Sequence, residues 1–306
     1  METESKLRLA DVFLSITDPR QAGKVEHDLV ELLVVAVNAV LVGADTFVEI
    51  ELWAKEKLDW LRGYLKLENG IPSHDTFGRL FGVISPDEFE AAFRRWVGAI
   101  LPTMGADAVV AIDGKTSRRS SNKVDATPLH LVSAFAAGVG LVLGQRATAE
   151  KSNEKTAIPE LLAMLALEGC IVTIDAMGTQ ANIAQAIRDR GADYVLAVKD
   201  NQKNLSQAVV EFFDTAEAFD YHNVVVQKSV SVEKNHGRIE TRRAALVSDV
   251  SWMDKPMREH WQKLAAVGMI EFVQEMKDKV SVERRYFIMS AGVKTVAQFA
   301  RAARAH

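Results

Sequence analysis

Two short apolar stretches, each ending in an aspartate, constrain the fold of this chain most. Residues 109–112 precede Asp113, and residues 170–174 precede Asp175. Continuous β-branched runs of this kind are typical of strands that are buried on both faces of a sheet. A carboxylate in such a run is costly to bury unless a cation compensates its charge, so the pair predicts a shared divalent metal site. The alternative is that each aspartate only ends its strand, because Asp followed by Gly is an ordinary turn signal.

Length and composition indicate a globular protein. The chain has 306 residues, of which 48% are hydrophobic and 25% charged, and this is ordinary for soluble domains. Its longest apolar run, residues 29–42, is too short to span a bilayer and contains Glu31, so we expect no membrane contact. Residues 1–6 lack the features of a secretion signal, and we therefore expect a cytoplasmic protein. The net charge of −4 excludes an overall basic surface, although local basic clusters leave nucleic-acid binding open.

Residues 1–100 predict a small all-helical domain. Apolar residues recur at helical spacing in residues 7–16, 27–42 and 47–61. Ser85-Pro86-Asp87-Glu88 is a strong signal for the start of another helix, with serine at the N-cap, proline at the first helical position and glutamate two residues later.

Residues 107–306 predict an α/β domain. Strands are expected at 109–113, 130–136 and 140–147, followed by a helix, a strand at 170–175, a helix at 179–190 and a strand at 193–199. This is the ribonuclease H-like order, in which the first and fourth strands are neighbours. That adjacency would bring Asp113 and Asp175 together. Further strands at 223–231, 238–246 and 284–290 predict a β-rich insertion at about 215–290, with a mixed segment between the last two strands.

Seven stretches in this chain form a recognisable set. They are residues 72–77 (PSHDTF), 111–115 (AIDGK), 130–135 (HLVSAF), 150–154 (EKSNE), 173–180 (TIDAMGTQ), 193–202 (DYVLAVKDNQ) and 236–242 (HGRIETR). In these motifs and in their order, the chain resembles the bacterial insertion-sequence transposases of the H-repeat-associated (ISAs-type) family, within the DDE superfamily. The match is far more specific than any single motif.

This resemblance implies a ribonuclease H-like catalytic domain with a β-rich insertion. It also implies a site of three carboxylates that holds two Mg²⁺ ions, for which Mn²⁺ can substitute. Such a site cuts double-stranded DNA at the terminal inverted repeats of the element and transfers the freed strand. Asp113 is then the first acid and Asp175 the second, and both are metal ligands. Because transposition joins two ends, the family also implies a homodimer on DNA.

The third acid is harder to assign. In related transposases it is a glutamate on a late helix, within a pattern that resembles His-Trp-x-Ile-Glu-Asn, and this chain reaches only His306 of that pattern. The expectation is a C-terminally truncated transposase whose final catalytic helix is incomplete and whose cleavage is impaired. Glu240 is the fallback third acid. The alternative for Glu240 is a cross-strand ion pair with neighbouring arginines, or a DNA contact.

Basic and amide side chains near the two acids are candidates for DNA contact. Some directly follow the first acid, where phosphate contact and an ordinary exposed basic loop are equally consistent with the sequence. Others follow the strand at 193–199, at the end of the sheet where ligands usually gather. The candidate DNA-binding residues are Lys115, Arg118, Arg119, Lys199, Asn201 and Arg238.

The sequence therefore predicts a DDE transposase that is impaired by loss of the third acid. Two other functions stay open. One is a catalytically inactive DNA-binding remnant of a transposase, and the other is a ribonuclease H-like nuclease without strand transfer.

Overall fold

The structure, a computed structural model, describes residues 7–100, 108–116, 130–138, 140–148, 154–235, 238–276 and 279–305. The chain divides into two compact units, Met1–Pro102 and Thr103–His306. Within the described ranges, no helix combines the length and the apolar character that crossing a membrane requires.

The described part of the first unit consists of helices. Its α-helices are α1 (Leu9–Phe13), α2 (Leu29–Leu41), α3 (Phe47–Glu56), α4 (Leu58–Leu61), α5 (His74–Phe81) and α6 (Pro86–Ile100). Helix α2 begins where the Asp28 carboxylate accepts a hydrogen bond from the Glu31 N–H at 3.0 Å, which satisfies one of the unpaired donors of the first turn. Most of α2 is apolar, and Leu33 and Val35 are fully buried in the core of this unit.

The second unit begins with five strands of a mixed sheet. Two helices connect the last three of these strands. The elements are β1 (Val109–Thr116), β2 (His130–Ala136), β3 (Leu141–Thr148), α7 (Glu154–Ala163), β4 (Ile171–Ile174), α8 (Ala181–Asp189) and β5 (Asp193–Val198). Strand β1 pairs antiparallel with β2 and parallel with β4, and β5 is parallel to β4. The first and fourth strands are therefore neighbours, as the sequence predicts.

The same sheet continues through the rest of the chain. The remaining elements are α9 (Lys203–Ala218), β6 (Val226–Asn235), β7 (Arg238–Val247), α10 (Lys255–His260), β8 (Leu264–Met276), β9 (Lys279–Ser290) and α11 (Val296–Arg304). Strand β9 pairs antiparallel with β5, and the order of the nine-stranded sheet is β3-β2-β1-β4-β5-β9-β8-β7-β6. The strands that the sequence predicted as an insertion are thus the far part of one continuous sheet. The first of them begins at Val226, three residues later than the predicted start at residue 223.

Strand β8 is an element that the sequence analysis missed. In its first half, neighbouring residues on both faces are buried, so the alternation that marks a half-exposed strand is absent. Strand β9 starts at Lys279 rather than at the predicted residue 284. Its first half is exposed, and an exposed polar segment carries no buried alternation to mark it.

Helices pack against both faces of the sheet. On one face, Phe299 of α11 shares a buried cluster with Val109 and Ile171. Strand alternation places Gly114 on the opposite face from Val109. There α7 packs, with its first residue, Glu154, against Gly114.

Candidate active site

Asp113 lies on β1, directly after the buried Ile112, and its side chain is exposed. Within the described residues, the Asp113 side chain has no hydrogen bond or ion pair. The backbone around it is paired on one side with β2 and on the other with β4. The position of this carboxylate is therefore set by the backbone of β1.

Asp175 directly follows β4 and caps a short 3-10 helix, Ala176–Gly178. Its Oδ1 accepts a hydrogen bond from the Gly178 N–H at 3.1 Å. This bond orients the carboxylate and leaves its second oxygen for another partner.

The two carboxylates are neighbours across the β1–β4 ladder. The last paired residues are Ile112 and Ile174, so Asp113, still on β1, and Asp175, directly after β4, are the next residues of the chain on either side. Neighbouring strands are about 4.8 Å apart, and alternation directs paired side chains to the same face. The structure therefore brings the two predicted acids together, at the point where β4 ends and β1 continues towards Thr116.

The two predicted DNA-binding lysines lie on the same side of the sheet as the acids. Lys115 is exposed and lies two residues after Asp113, so strand alternation directs it to the same face. Lys199 is also exposed and follows β5. The Arg285 guanidinium, hydrogen-bonded to Glu283, lowers the pKa of that carboxyl, and the charge of Lys199 adds to the effect. Lys199 follows a strand that pairs in parallel with β4, so both lysines are on the side of the sheet where β4 ends.

Asn201 has a structural partner that the sequence did not indicate. Its side-chain amide donates a hydrogen bond to the carbonyl of Ala176, in the turn after the second acid. Gln202 Nε2 donates to the Thr179 carbonyl at 3.1 Å, and the Thr179 hydroxyl donates to the Ala197 carbonyl at 2.6 Å. We call Asn201, Gln202 and Thr179 the Asn201 clamp. It holds the turn that contains the second acid, and it escaped sequence analysis because its acceptors are backbone carbonyls.

Glu240 lies elsewhere in the sheet. Strands β5, β9 and β8 separate its strand, β7, from β4, and at about 4.8 Å per strand this amounts to roughly 19 Å. Its buried carboxylate forms ion pairs with Arg238 (Nε to Oε1, 2.9 Å) and Arg242 (Nη2 to Oε2, 3.0 Å). The structure does not bring Glu240, or the predicted DNA contact Arg238, to the two aspartates.

Two of the predicted contacts, Arg118 and Arg119, lie outside the described residues. The same holds for residues 150–153 and 236–237 of the sequence motifs.

A buried acid–imidazole pair behind Asp113 was not anticipated. His130 Nε2 lies 2.6 Å from Glu154 Oε1, and the two side chains are 3% and 9% exposed. The Glu154 carboxylate packs against Gly114, where an added Cβ would overlap it. A glutamate in the first turn of a helix usually indicates an exposed side chain that complements the helix dipole. Its burial therefore could not be inferred from the sequence.

The donor set of the site is two carboxylates from adjacent strands. In the part of the chain that the structure describes, no group of three or more His, Cys, Asp or Glu side chains could hold a metal ion. Carboxylate oxygens are hard ligands that suit Mg²⁺ or Mn²⁺ rather than Zn²⁺. Asp113 and Asp175 therefore fit a hard divalent cation chemically, as two of its ligands.

Two family models match this chain. The first, described as DDE_Tnp_1-associated, matches residues 10–97. The second, described as the Transposase DDE domain, matches residues 105–302. Together they cover most of both compact units.

Individual relatives are similar over most of their length. An uncharacterized protein in the dhlA 3' region of Xanthobacter autotrophicus is 42% identical over 281 residues, which are 91% of this chain and 92% of that protein. YhhI of Escherichia coli K12, named as an H repeat-associated candidate transposase, is 40% identical over 296 residues, 95% of this chain and 77% of that protein. YbfD of the same strain, with the same kind of name, is 43% identical over 228 residues, 74% of this chain and 88% of that protein.

Among solved structures, a piggyBac transposase synaptic complex with hairpin DNA aligns with 92% of this chain and 56% of that chain. The TM-score of 0.36 and the identity of 12% are too low to carry an argument. The family models and the sequence relatives are sufficient by themselves: this chain belongs to the DDE transposase family, and its relatives include H repeat-associated members.

Proposed function

We propose that this protein is a transposase that binds the terminal inverted repeats of an insertion sequence and catalyses metal-dependent DNA strand cleavage and transfer there. The observation that supports the proposal is the parallel pairing of β1 with β4 up to Ile112 and Ile174, the residues that directly precede Asp113 and Asp175. Membership of the DDE transposase family supports the class of reaction, and this pair of acids supports its location.

The strand order supports a ribonuclease H-like catalytic domain. Three strands joined in antiparallel pairs, followed by two parallel strands, give the order β3-β2-β1-β4-β5. Strands β9 to β6 widen this sheet on the β5 side. We propose that the helical first unit, matched by the associated-domain model, serves the catalytic unit in DNA binding.

Asp113 and Asp175 would hold the metal ion. Asp113 is exposed and has no partner within the described residues. One oxygen of Asp175 accepts a hydrogen bond from the Gly178 N–H. Oxygens on both side chains therefore remain for a cation. A divalent ion at this position would activate the attacking oxygen and stabilise the leaving oxygen of a phosphodiester.

Positive side chains at the same edge would orient the DNA. Lys115 and Lys199 are exposed beside the acids, where they can contact phosphates without reading the base sequence. Arg238 is 42% exposed and already paired with Glu240, so we expect it to contribute less. A homodimer assembled on two DNA ends completes the proposal.

Mn²⁺ binding tests the acid pair directly. Titration of the full chain, followed by the electron paramagnetic resonance signal of free Mn²⁺, should show at least about tenfold weaker binding in Asp113→Ala and Asp175→Ala. Asp189→Ala is the matched control, because Asp189 is an exposed aspartate of the same unit at the end of α8. Wild-type affinity in both Asp113→Ala and Asp175→Ala would refute the proposal.

A second function is favoured by one observation. Within the described ranges no third carboxylate joins the pair, and two metal ions at about 3.5–4 Å need ligands that bridge and flank them. The protein would then bind element ends without cutting them.

Gel shift and Mn²⁺-dependent nicking of a plasmid that carries the element's ends distinguish the two functions. Binding without nicking supports the second, whereas nicking that Asp113→Ala abolishes supports the first. Nicking without joined products would indicate a nuclease.

A further inference from the structure

We infer that His130 and Glu154 act as a positioning pair, which holds the end of β1 and thereby places the Asp113 carboxylate. The inference rests on the proposed function in one respect, the assignment of Asp113 as a metal ligand. Neither His130 nor Glu154 is itself assigned to the metal.

The burial of this pair calls for an explanation. The Nε2–Oε1 distance is 2.6 Å, and the side chains are only 3% and 9% exposed. Removing an acid and an imidazole from water is expensive, and such pairs often stabilise a fold no more than apolar residues of the same size. A role in geometry accounts for the pair better than a role in stability.

The pair joins three elements near Gly114, the residue after Asp113. His130 begins β2 and is opposite Thr116 in the β1–β2 register. Glu154 begins α7, and its carboxylate lies against Gly114. The end of β1, the start of β2 and the start of α7 therefore meet at one buried hydrogen-bonded contact.

Asp113 depends on its backbone more than the second acid does. Within the described residues its side chain has no partner, whereas Asp175 is held by the Gly178 N–H and the turn behind it by the Asn201 clamp. A shift of Gly114 would move Asp113 directly, because the two are adjacent in the chain. The Glu154 carboxylate behind Gly114 limits that shift.

The lack of a side chain at residue 114 is part of the same arrangement. A Cβ at Gly114 would overlap the Glu154 carboxylate and come within 3.1 Å of His130 Nε2. Substitutions at residues 114 and 154 are therefore predicted to have coupled effects. Gly114→Ala should disturb the wild-type chain, and the disturbance should be smaller when Glu154→Ala has already vacated the space.

The first test compares Glu154→Ala, Glu154→Gln and the control Glu160→Ala in the full chain. Glu160 is an exposed glutamate on the same helix. Two quantities are measured: Mn²⁺ affinity, and hydrogen–deuterium exchange of the peptide that contains residues 109–116, without metal. We expect Glu154→Ala to weaken Mn²⁺ binding about tenfold, as loss of a supporting partner of a metal ligand typically does, and to speed exchange. Glu154→Gln should retain most of the affinity, because glutamine has the same shape and can still accept a hydrogen bond from His130.

The second test measures Mn²⁺ affinity in Gly114→Ala and in Gly114→Ala/Glu154→Ala. We expect the double variant to bind at least as tightly as Gly114→Ala alone. Independent effects that simply multiply would contradict the overlap and overturn the inference. A loss of affinity in Glu154→Gln as large as in Glu154→Ala would overturn the hydrogen-bonded role.

The outcomes also distinguish this inference from the proposed function. Unchanged exchange in Glu154→Ala overturns the inference, whatever the metal result. Faster exchange with wild-type Mn²⁺ affinity overturns it too, provided that Asp113→Ala has lost Mn²⁺ binding. Wild-type affinity in Asp113→Ala overturns the proposed role of Asp113 and the metal-related part of the inference, and exchange then decides whether the pair holds β1.

Discussion

Replacing Glu240 with alanine would remove a buried carboxylate that two arginines share. The bond from Arg242 Nη2 at 3.0 Å is a charge-assisted hydrogen bond, a class worth about 1.5–3 kcal/mol. Breaking a fully buried ion pair costs about 3–5 kcal/mol. The side chains of Arg238 and Arg242 are 42% and 27% exposed, so water partly replaces the lost partner. In the variant, Arg242 would also retain its ion pair with Glu233, at a distance of 3.4 Å.

These values give a loss of about 2 kcal/mol in the free energy of unfolding of the second unit. For a unit of this size the melting temperature should fall by roughly 4–8 °C. Mn²⁺ affinity should stay at the wild-type value, because the strand of Glu240 is roughly 19 Å across the sheet from β4, the strand that precedes the nearer acid. The assay pairs a thermal melt with the Mn²⁺ titration on the same samples.

The matched control is Glu275→Ala on the neighbouring strand β8, where the side chain is exposed. We expect it to change stability by less than about 0.5 kcal/mol. A Glu240→Ala variant with an unchanged melting temperature and weakened Mn²⁺ binding would refute the reasoning. It would make Glu240 the third metal ligand instead of a structural ion-pair partner.

Three further predictions address other parts of the chain. Gly292→Ala should lower the free energy of unfolding by about 1–3 kcal/mol, because a Cβ there would overlap the Asp193 carboxylate; an unchanged urea midpoint would contradict this. Asn201→Ala should weaken Mn²⁺ binding several-fold, because it releases the turn after the second acid; wild-type affinity would show that the clamp has no effect on the site. The Lys55 ammonium, with further hydrogen bonds, lowers the pKa of Glu51 from 4.5 to about 2, so the ionised carboxylate should stabilise the fold above pH 4.5 and lose that contribution as the pH falls towards 2. The difference in urea midpoint between wild type and Glu51→Gln should therefore shrink over that range, and an equal difference at about pH 3 and pH 7 would count against the assignment.

Local sequence patterns were sufficient for much of the fold. The runs before Asp113 and Asp175 are short, apolar and β-branched, and strands buried on both faces have this signature wherever they occur. The order of an antiparallel meander followed by two βα crossovers then predicted that β1 and β4 are neighbours, as in the ribonuclease H-like order. The structure pairs β1 with β4 in this way.

The same patterns failed where the burial of an element depends on distant partners. Strand β8 lacks alternation because both faces of its first half are covered by other parts of the unit. Nothing in the β-rich segment itself indicates that β9 pairs with β5, so its place in the sheet could not be predicted. Pairing between strands that are distant in the chain is a property of the assembled sheet.

The sequence by itself therefore determined the family resemblance, the two strand-borne aspartates and the adjacency that brings them together. Only the tertiary structure decided which polar groups meet. It assigned Glu240 to arginines on its own strand, Asn201 to the backbone of the turn after Asp175, and Glu154 to His130 behind Gly114. The physical reason is that apolar periodicity records which faces are buried, whereas a buried polar side chain must find a particular donor or acceptor. That partner is chosen by three-dimensional packing.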